Sequence, residues 1–196
     1  ILAGFTDKAI MLSKFGLWGG LALVLLICFA PKNKFLIITT PLYALCEGLA
    51  LGYISALANL KFPGVASQAA LGTLFALFGM FFFYKTGLLK CTDKFRMVIF
   101  NCALAIFLIY LTQIILGLFN ITIPHIFSNS PIGIGFSIFT VSIATLYLII
   151  DFDNIERFAG NVDKHLEWYF GFSLLVTIIW MYLEILNLLM KLQSRN

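Results

Sequence analysis

Three acids stand in apolar surroundings where ionised groups are expensive. Glu47 sits in Leu45-Cys-Glu-Gly-Leu49, Asp151 closes Leu146-Tyr-Leu-Ile-Ile-Asp151, and Glu184 lies in Met181-Tyr-Leu-Glu-Ile-Leu186. If these runs cross a bilayer, a charge near its centre costs about 2.5–3.5 kcal/mol on insertion scales. Such a carboxyl must face the interior of a helix bundle, find a partner, or carry a proton. The chemistry open to it is proton relay or transient binding of a cation.

Helical spacing gives two of the acids company. At a turn of about 100° per residue, Ser173, Thr177, Glu184, Asn187 and Lys191 fall on one narrow stripe. One segment earlier, Ser137, Thr140 and Asp151 share a face, whereas Asp153 points nearly the opposite way. Two polar stripes on consecutive antiparallel helices would face each other and line a hydrated path. Two readings stay open for Asp151, a pathway acid or an interfacial carboxylate that ends a span with Asp153 and Glu156. It lies 19 residues after Ile132, roughly 28 Å along a helix. Apolar residues continue past Glu184 to Met190, which favours a functional role there. Glu47 reads equally as a hydrogen-bonded structural acid or as a pathway residue.

The elements that must position these residues are membrane helices. Of 196 residues, 61% are hydrophobic and 11% charged, and the mean hydropathy is +1.00. Soluble domains are closer to half apolar and a quarter charged. A soluble fold this small cannot bury so much apolar surface, so lipid must cover the remainder. About 20 apolar residues cross a hydrocarbon core about 30 Å thick. That template predicts an all-α bundle, one domain over residues 1–196, with spans at about 9–30, 35–59, 65–84, 97–119, 132–152 and 168–190. Turn chemistry separates them at Pro31-Lys-Asn-Lys34, Lys61-Phe-Pro-Gly64, residues 85–96 and Asn129-Ser-Pro131. No internal repeat is evident, which disfavours an inverted-repeat transporter.

Basic residues suggest an orientation. Lys32, Lys34, Lys85, Lys90, Lys94, Arg96, Arg157 and Lys164 fall on one side; Lys8, Lys14, Lys61, Lys191 and Arg195 fall on the other. Eight against five places the first group in the cytoplasm and the C-terminus outside. The net charge of +4 comes from these scattered positions and gives no nucleic-acid stripe. Gly48, Gly52, Ser55 and Asn59 form a small-residue strip that predicts close helix packing.

Other chemistries lack their motifs. The four cysteines show no CxxC or Cys/His zinc spacing, which argues against a structural metal and a disulfide framework. His125 and His165 belong to no HExxH pattern and have no serine partner at motif spacing. Paired acids on membrane helices also suit an intramembrane aspartyl protease, but no Gly-x-Gly-Asp occurs, so no enzyme is expected. Asn120-Ile-Thr122 matches a glycosylation sequon, a motif common by chance.

The chain resembles the Bax inhibitor-1 family of TMBIM-type membrane proteins, most closely a bacterial subgroup. The resemblance is carried by Pro41-Leu-Tyr-Ala-Leu-Cys-Glu-Gly-Leu-Ala-Leu-Gly-Tyr-Ile-Ser55, Gly72-Thr73, Asp93-Lys-Phe-Arg96 and Gly133-Ile-Gly-Phe-Ser137. Asp151-Phe-Asp-Asn-Ile-Glu156, Glu167-Trp-Tyr169, Leu174-Leu-Val-Thr177 and Tyr182-Leu-Glu-Ile-Leu186 complete it, so that residues 16–192 are covered. The resemblance implies seven helices and a pH-sensing acid pair, on the sixth and seventh, that gates a slow calcium leak. Asp151 matches the first position and Glu184 the second, where Asp is the better-known residue. With six clear spans, the family's first helix is expected to be missing, residues 1–8 being its remnant, and the loop between the paired acids looks longer. The residence implied is a bacterial inner membrane.

Two carboxyls close together in a poorly solvated site cannot both ionise cheaply, so a proton or a cation such as Ca²⁺ must relieve them. Asp151 and Glu184 are thus the expected proton sensors and transient Ca²⁺ ligands, with Glu47, Asp153, Ser137, Thr140, Thr177 and Asn187 as further pathway candidates. No resident cofactor is expected. Depth opposes a direct pair: a span entering the bilayer at Trp168 puts Glu184 roughly 20 Å inside, too deep to meet an interfacial Asp151. A different class of function, regulation of a membrane protease or death-pathway factor by binding it, is compatible with the same residues.

Overall fold

The computed structural model describes residues 2–29, 35–119, 126–158, 160 and 163–195. Six helices run in chain order: α1 Leu2–Phe29, α2 Leu36–Lys61, α3 Val65–Lys85, α4 Asp93–Leu118, α5 Pro131–Phe158 and α6 Lys164–Gln193. All six are long and apolar enough to cross a membrane. In lipid the helix is the natural spanning form, because it satisfies its own backbone donors and acceptors. The sequon at 120–122, His125 and the turn at 31–34 lie outside the described residues.

Local chemistry sets the boundaries. Thr92 caps α4, its side chain accepting from the Phe95 amide at 3.2 Å, and Asp93 adds a carboxylate in the first turn. The α2–α3 turn relies on Gly64 at φ +86°, whose amide donates to Asn59 Oδ1 at 2.6 Å. Residues 2–8 continue α1 as helix.

Two compact units emerge, Ile1–Ala66 with Asn154–Leu175, and Ser67–Asp153 with Val176–Asn196. In the first, α1 meets α2 through glycines. A Cβ at Gly16 would lie 2.5 Å from the Cys46 carbonyl oxygen, and one at Gly20 would lie 2.8 Å from Glu47 Oε1. The close approach therefore comes from α1, not from the α2 strip: Gly48 and Gly52 face open space. Ser55 instead bonds the Leu51 carbonyl, and Asn59 serves the turn. Tyr43 packs edge-on against Phe172, their centroids 5.0 Å apart.

In the second unit, Ile99 and Ile106 of α4 cluster with Ile143 and Ile150 of α5, and Gly72 of α3 lies against Ile185 of α6. Among the described spans α5 is the most enclosed, with 44% of its apolar window buried against 11% for α4. Large side chains such as Phe15, Trp18, Phe75 and Phe107 point outward, as a hydrocarbon solvent permits.

Filling the glycine contact is predicted to be destabilising. Gly16→Val forces a branched side chain onto the α2 backbone and is expected to cost about 1–3 kcal/mol, whereas Gly48→Ala is neutral. Thermal unfolding of both variants in detergent, followed by circular dichroism, checks the contrast; equal melting would contradict the packing.

Candidate functional site

α5 and α6 meet in an antiparallel register that stacks polar groups in levels, all within the second unit. At one end Asp153 forms an ion pair with Arg96, from the first turn of α4. Next, Asp151 accepts a 2.6 Å hydrogen bond from the Thr177 hydroxyl. Then comes an apolar level: Ala144, Leu148 and Met181 are fully buried, with the Thr145 hydroxyl 3.5 Å from Met181 Sδ. Glu184 occupies the next level, and the seam ends at Lys191. Gly133 and Asp153 are 20 residues apart, roughly 30 Å of helix, so the seam runs the thickness of a hydrocarbon core.

Glu184 is 4% exposed and satisfied from three directions. Oε1 accepts from the Tyr110 hydroxyl at 2.7 Å and from Trp180 Nε1 at 3.0 Å. Oε2 lies 2.9 Å from Thr140 Oγ1, which is also 2.9 Å from the Ser137 carbonyl oxygen. A hydroxyl has one proton and two lone pairs. Thr140 can therefore donate to an ionised Glu184, or accept from a protonated one and donate to Ser137 instead. The same heavy-atom positions serve both states.

Lys191 is 5% exposed. Its ammonium donates to Ser137 Oγ at 2.8 Å, the Gly133 carbonyl at 3.0 Å and the Ile126 carbonyl at 3.4 Å. Three acceptors match the three donors of an ammonium. The charge sits two turns along the same stripe from Glu184, an axial distance of roughly 10 Å.

The structure brings together Asp151, Glu184, Ser137, Thr140 and Thr177 on this seam, whereas Asp153 faces α4 and pairs with Arg96. Asn187 is half-buried and, among the described residues, adds no hydrogen bond to it. Glu47 belongs to the first unit, half-buried beside Gly20 and hydrogen-bonded to Tyr43. Asp151 is 1% exposed, and α5 continues past it to Phe158. Asp151 and Glu184 each have hydrogen-bond partners of their own. The hydrogen bonds of Glu184 go to Tyr110, Thr140 and Trp180, and seven residues separate it from Thr177, the partner of Asp151. Among the described residues no group of three or more His, Cys, Asp or Glu side chains could hold a metal ion.

Sequence reasoning missed three members. Trp180 precedes Glu184 by one turn, a spacing that could have flagged it. Arg96 enters the sequence reading as a topology charge and in the Asp93–Arg96 motif, with no partner assigned. Tyr110 lies on a helix distant in sequence and carries no local signal.

Removing the Tyr110 hydroxyl leaves a buried carboxylate short of a donor. Tyr110→Phe is predicted to lower stability by about 1–2 kcal/mol. Tyr53→Phe, whose hydroxyl makes no hydrogen bond among the described residues, should melt like the parent. Tryptophan-fluorescence melting in detergent compares them; an unchanged Tyr110→Phe would remove the hydroxyl's role.

A family model described as Bax inhibitor 1 like matches residues 2–194. No curated protein and no solved structure matches the chain.

Proposed function

The chain belongs to the Bax inhibitor 1 like family, and on that premise we propose that it is a pH-sensitive calcium leak protein. The observation that carries this reading is Glu184, a carboxylate buried mid-span and held by side chains of α4, α5 and α6. Asp151 is a second buried acid on the same seam. The two act as separate stations rather than as a contacting pair. Calcium, the cargo, prefers hard oxygen ligands, and each station offers a carboxylate beside a threonine hydroxyl.

Two features hold the seam against conduction in this reading. The Ala144, Leu148 and Met181 level is fully buried and apolar between the acids. Beyond Glu184, the Lys191 ammonium supplies the positive charge that a cation would otherwise bring. At roughly 10 Å and an effective dielectric of about 20, one unit charge acts on another by about 1.7 kcal/mol, or more than tenfold in occupancy. Opening requires α5 and α6 to separate enough for water to enter. Ionised Glu184 attracts the cation and protonated Glu184 does not, so the leak falls as pH is lowered. No covalent chemistry is assigned to the protein. The basic-residue asymmetry supports a C-terminus outside, and residence in a bacterial inner membrane is what the resemblance implies.

Calcium entry into liposomes carrying the purified protein alone, measured across pH, tests the reading. The parent is expected to leak more at higher pH, with the dependence abolished in Glu184→Gln and weakened in Asp151→Asn. Absence of flux, or an unchanged profile in both variants, would overturn it and favour regulation through binding other membrane proteins. Separately, Lys191→Met is predicted to raise the leak roughly tenfold while Lys191→Arg keeps it low; equal flux in the two would remove the electrostatic barrier.

A further inference from the structure

A cavity of about 280 Å³ lies between α4 and α6, lined by Ala103, Ile106, Phe107, Tyr110, Val176 and Trp180. Its lining is almost wholly apolar, and its residues fall near the middle of both helices. Phe107 at its rim is 60% exposed. At that depth the medium is hydrocarbon, so what enters from outside is a hydrocarbon chain. The volume is just below the range of pockets that enclose whole drug-sized ligands, which suits a chain segment rather than a complete small molecule.

The cavity wall is not inert. Tyr110 and Trp180 line it, and both donate their polar hydrogens to Glu184 Oε1. One side of each aromatic side chain meets the cleft while its heteroatom holds the buried acid. We propose that this cleft is a binding site for one acyl chain of a bilayer phospholipid, seated against Tyr110 and Trp180 and one aromatic ring away from Glu184. The site stands whether or not calcium passes along the seam. A chain seated there supports both rings by dispersion contacts that an empty cleft lacks, and so steadies two of the three donors to Glu184. Lipid composition thereby reaches a buried acid to which no lipid atom has direct access.

Trp180 reports on the site. In the full chain with Trp18→Phe and Trp168→Phe, reconstituted in phospholipid vesicles, mid-chain-brominated phospholipid is titrated against the fluorescence of Trp180. Strong quenching is expected, most of it lost in Ala103→Phe, which fills the cleft. Leu108→Phe, at a similar depth but on another face of α4, should leave it intact. Val176→Phe fills the cleft from α6 and serves where Ala103→Phe fails to fold, as judged by circular dichroism. Quenching unchanged by both fillings reports bulk lipid contact only and overturns the proposal. Quenching by brominated free fatty acid but not by brominated phospholipid overturns it also.

Discussion

An acid placed among hydrocarbon chains has no water to solvate it, so the protein must supply every donor it needs. Glu184 meets that requirement with a phenol from α4, an indole from its own helix and a hydroxyl from α5. No single pair of helices could do so. The requirement ties α4, α5 and α6 to one rotation and one register, because a slip of one residue would carry a donor off the carboxylate. Asp151 with Thr177, and Lys191 with Ser137 and Gly133, repeat the constraint at other levels. Polar contacts within membranes are individually modest; here their stacking fixes the alignment.

The same arrangement explains why α5 is so enclosed. It presents Asp151 and Thr140 to α6 and Asp153 to Arg96 of α4, so both of its polar faces need cover. Its isoleucines pack against α4 between those polar positions. Charges mark the two ends, Asp153 answered by Arg96 and Lys191 by two carbonyls and the Ser137 hydroxyl, while the hydrogen bonds described for Glu184 come from neutral donors.

Six spans were legible because length and composition decide them, and the structure places a helix on each. The ends were less legible. Hydropathy alone stops the fifth span near 152 and starts the sixth near 168, but α5 runs on to Phe158 and α6 begins at Lys164. Helices continue past the hydrocarbon where polar side chains can face water. The stripes holding Thr177, Glu184 and Lys191 were readable from helical spacing, since one helix fixes their relative angles. What faces them was not readable, because register between helices depends on contacts far apart in sequence. Hence Tyr110 went unseen, the partners of the two acids stayed open, and the α2 glycine strip was given packing that α1 supplies through Gly16 and Gly20.

The central claim is that the Glu184 carboxyl is held in place by directed hydrogen bonds from protein donors, the Trp180 indole among them. It is tested most directly by solid-state NMR of the chain in lipid bilayers, measuring dipolar dephasing between ¹³C at the glutamate carboxyl and ¹⁵N at the tryptophan indole. The account predicts strong dephasing from a hydrogen-bonded contact, abolished in both Trp180→Phe and Glu184→Gln. Absence of that dephasing in the parent, or its persistence in either variant, would contradict it.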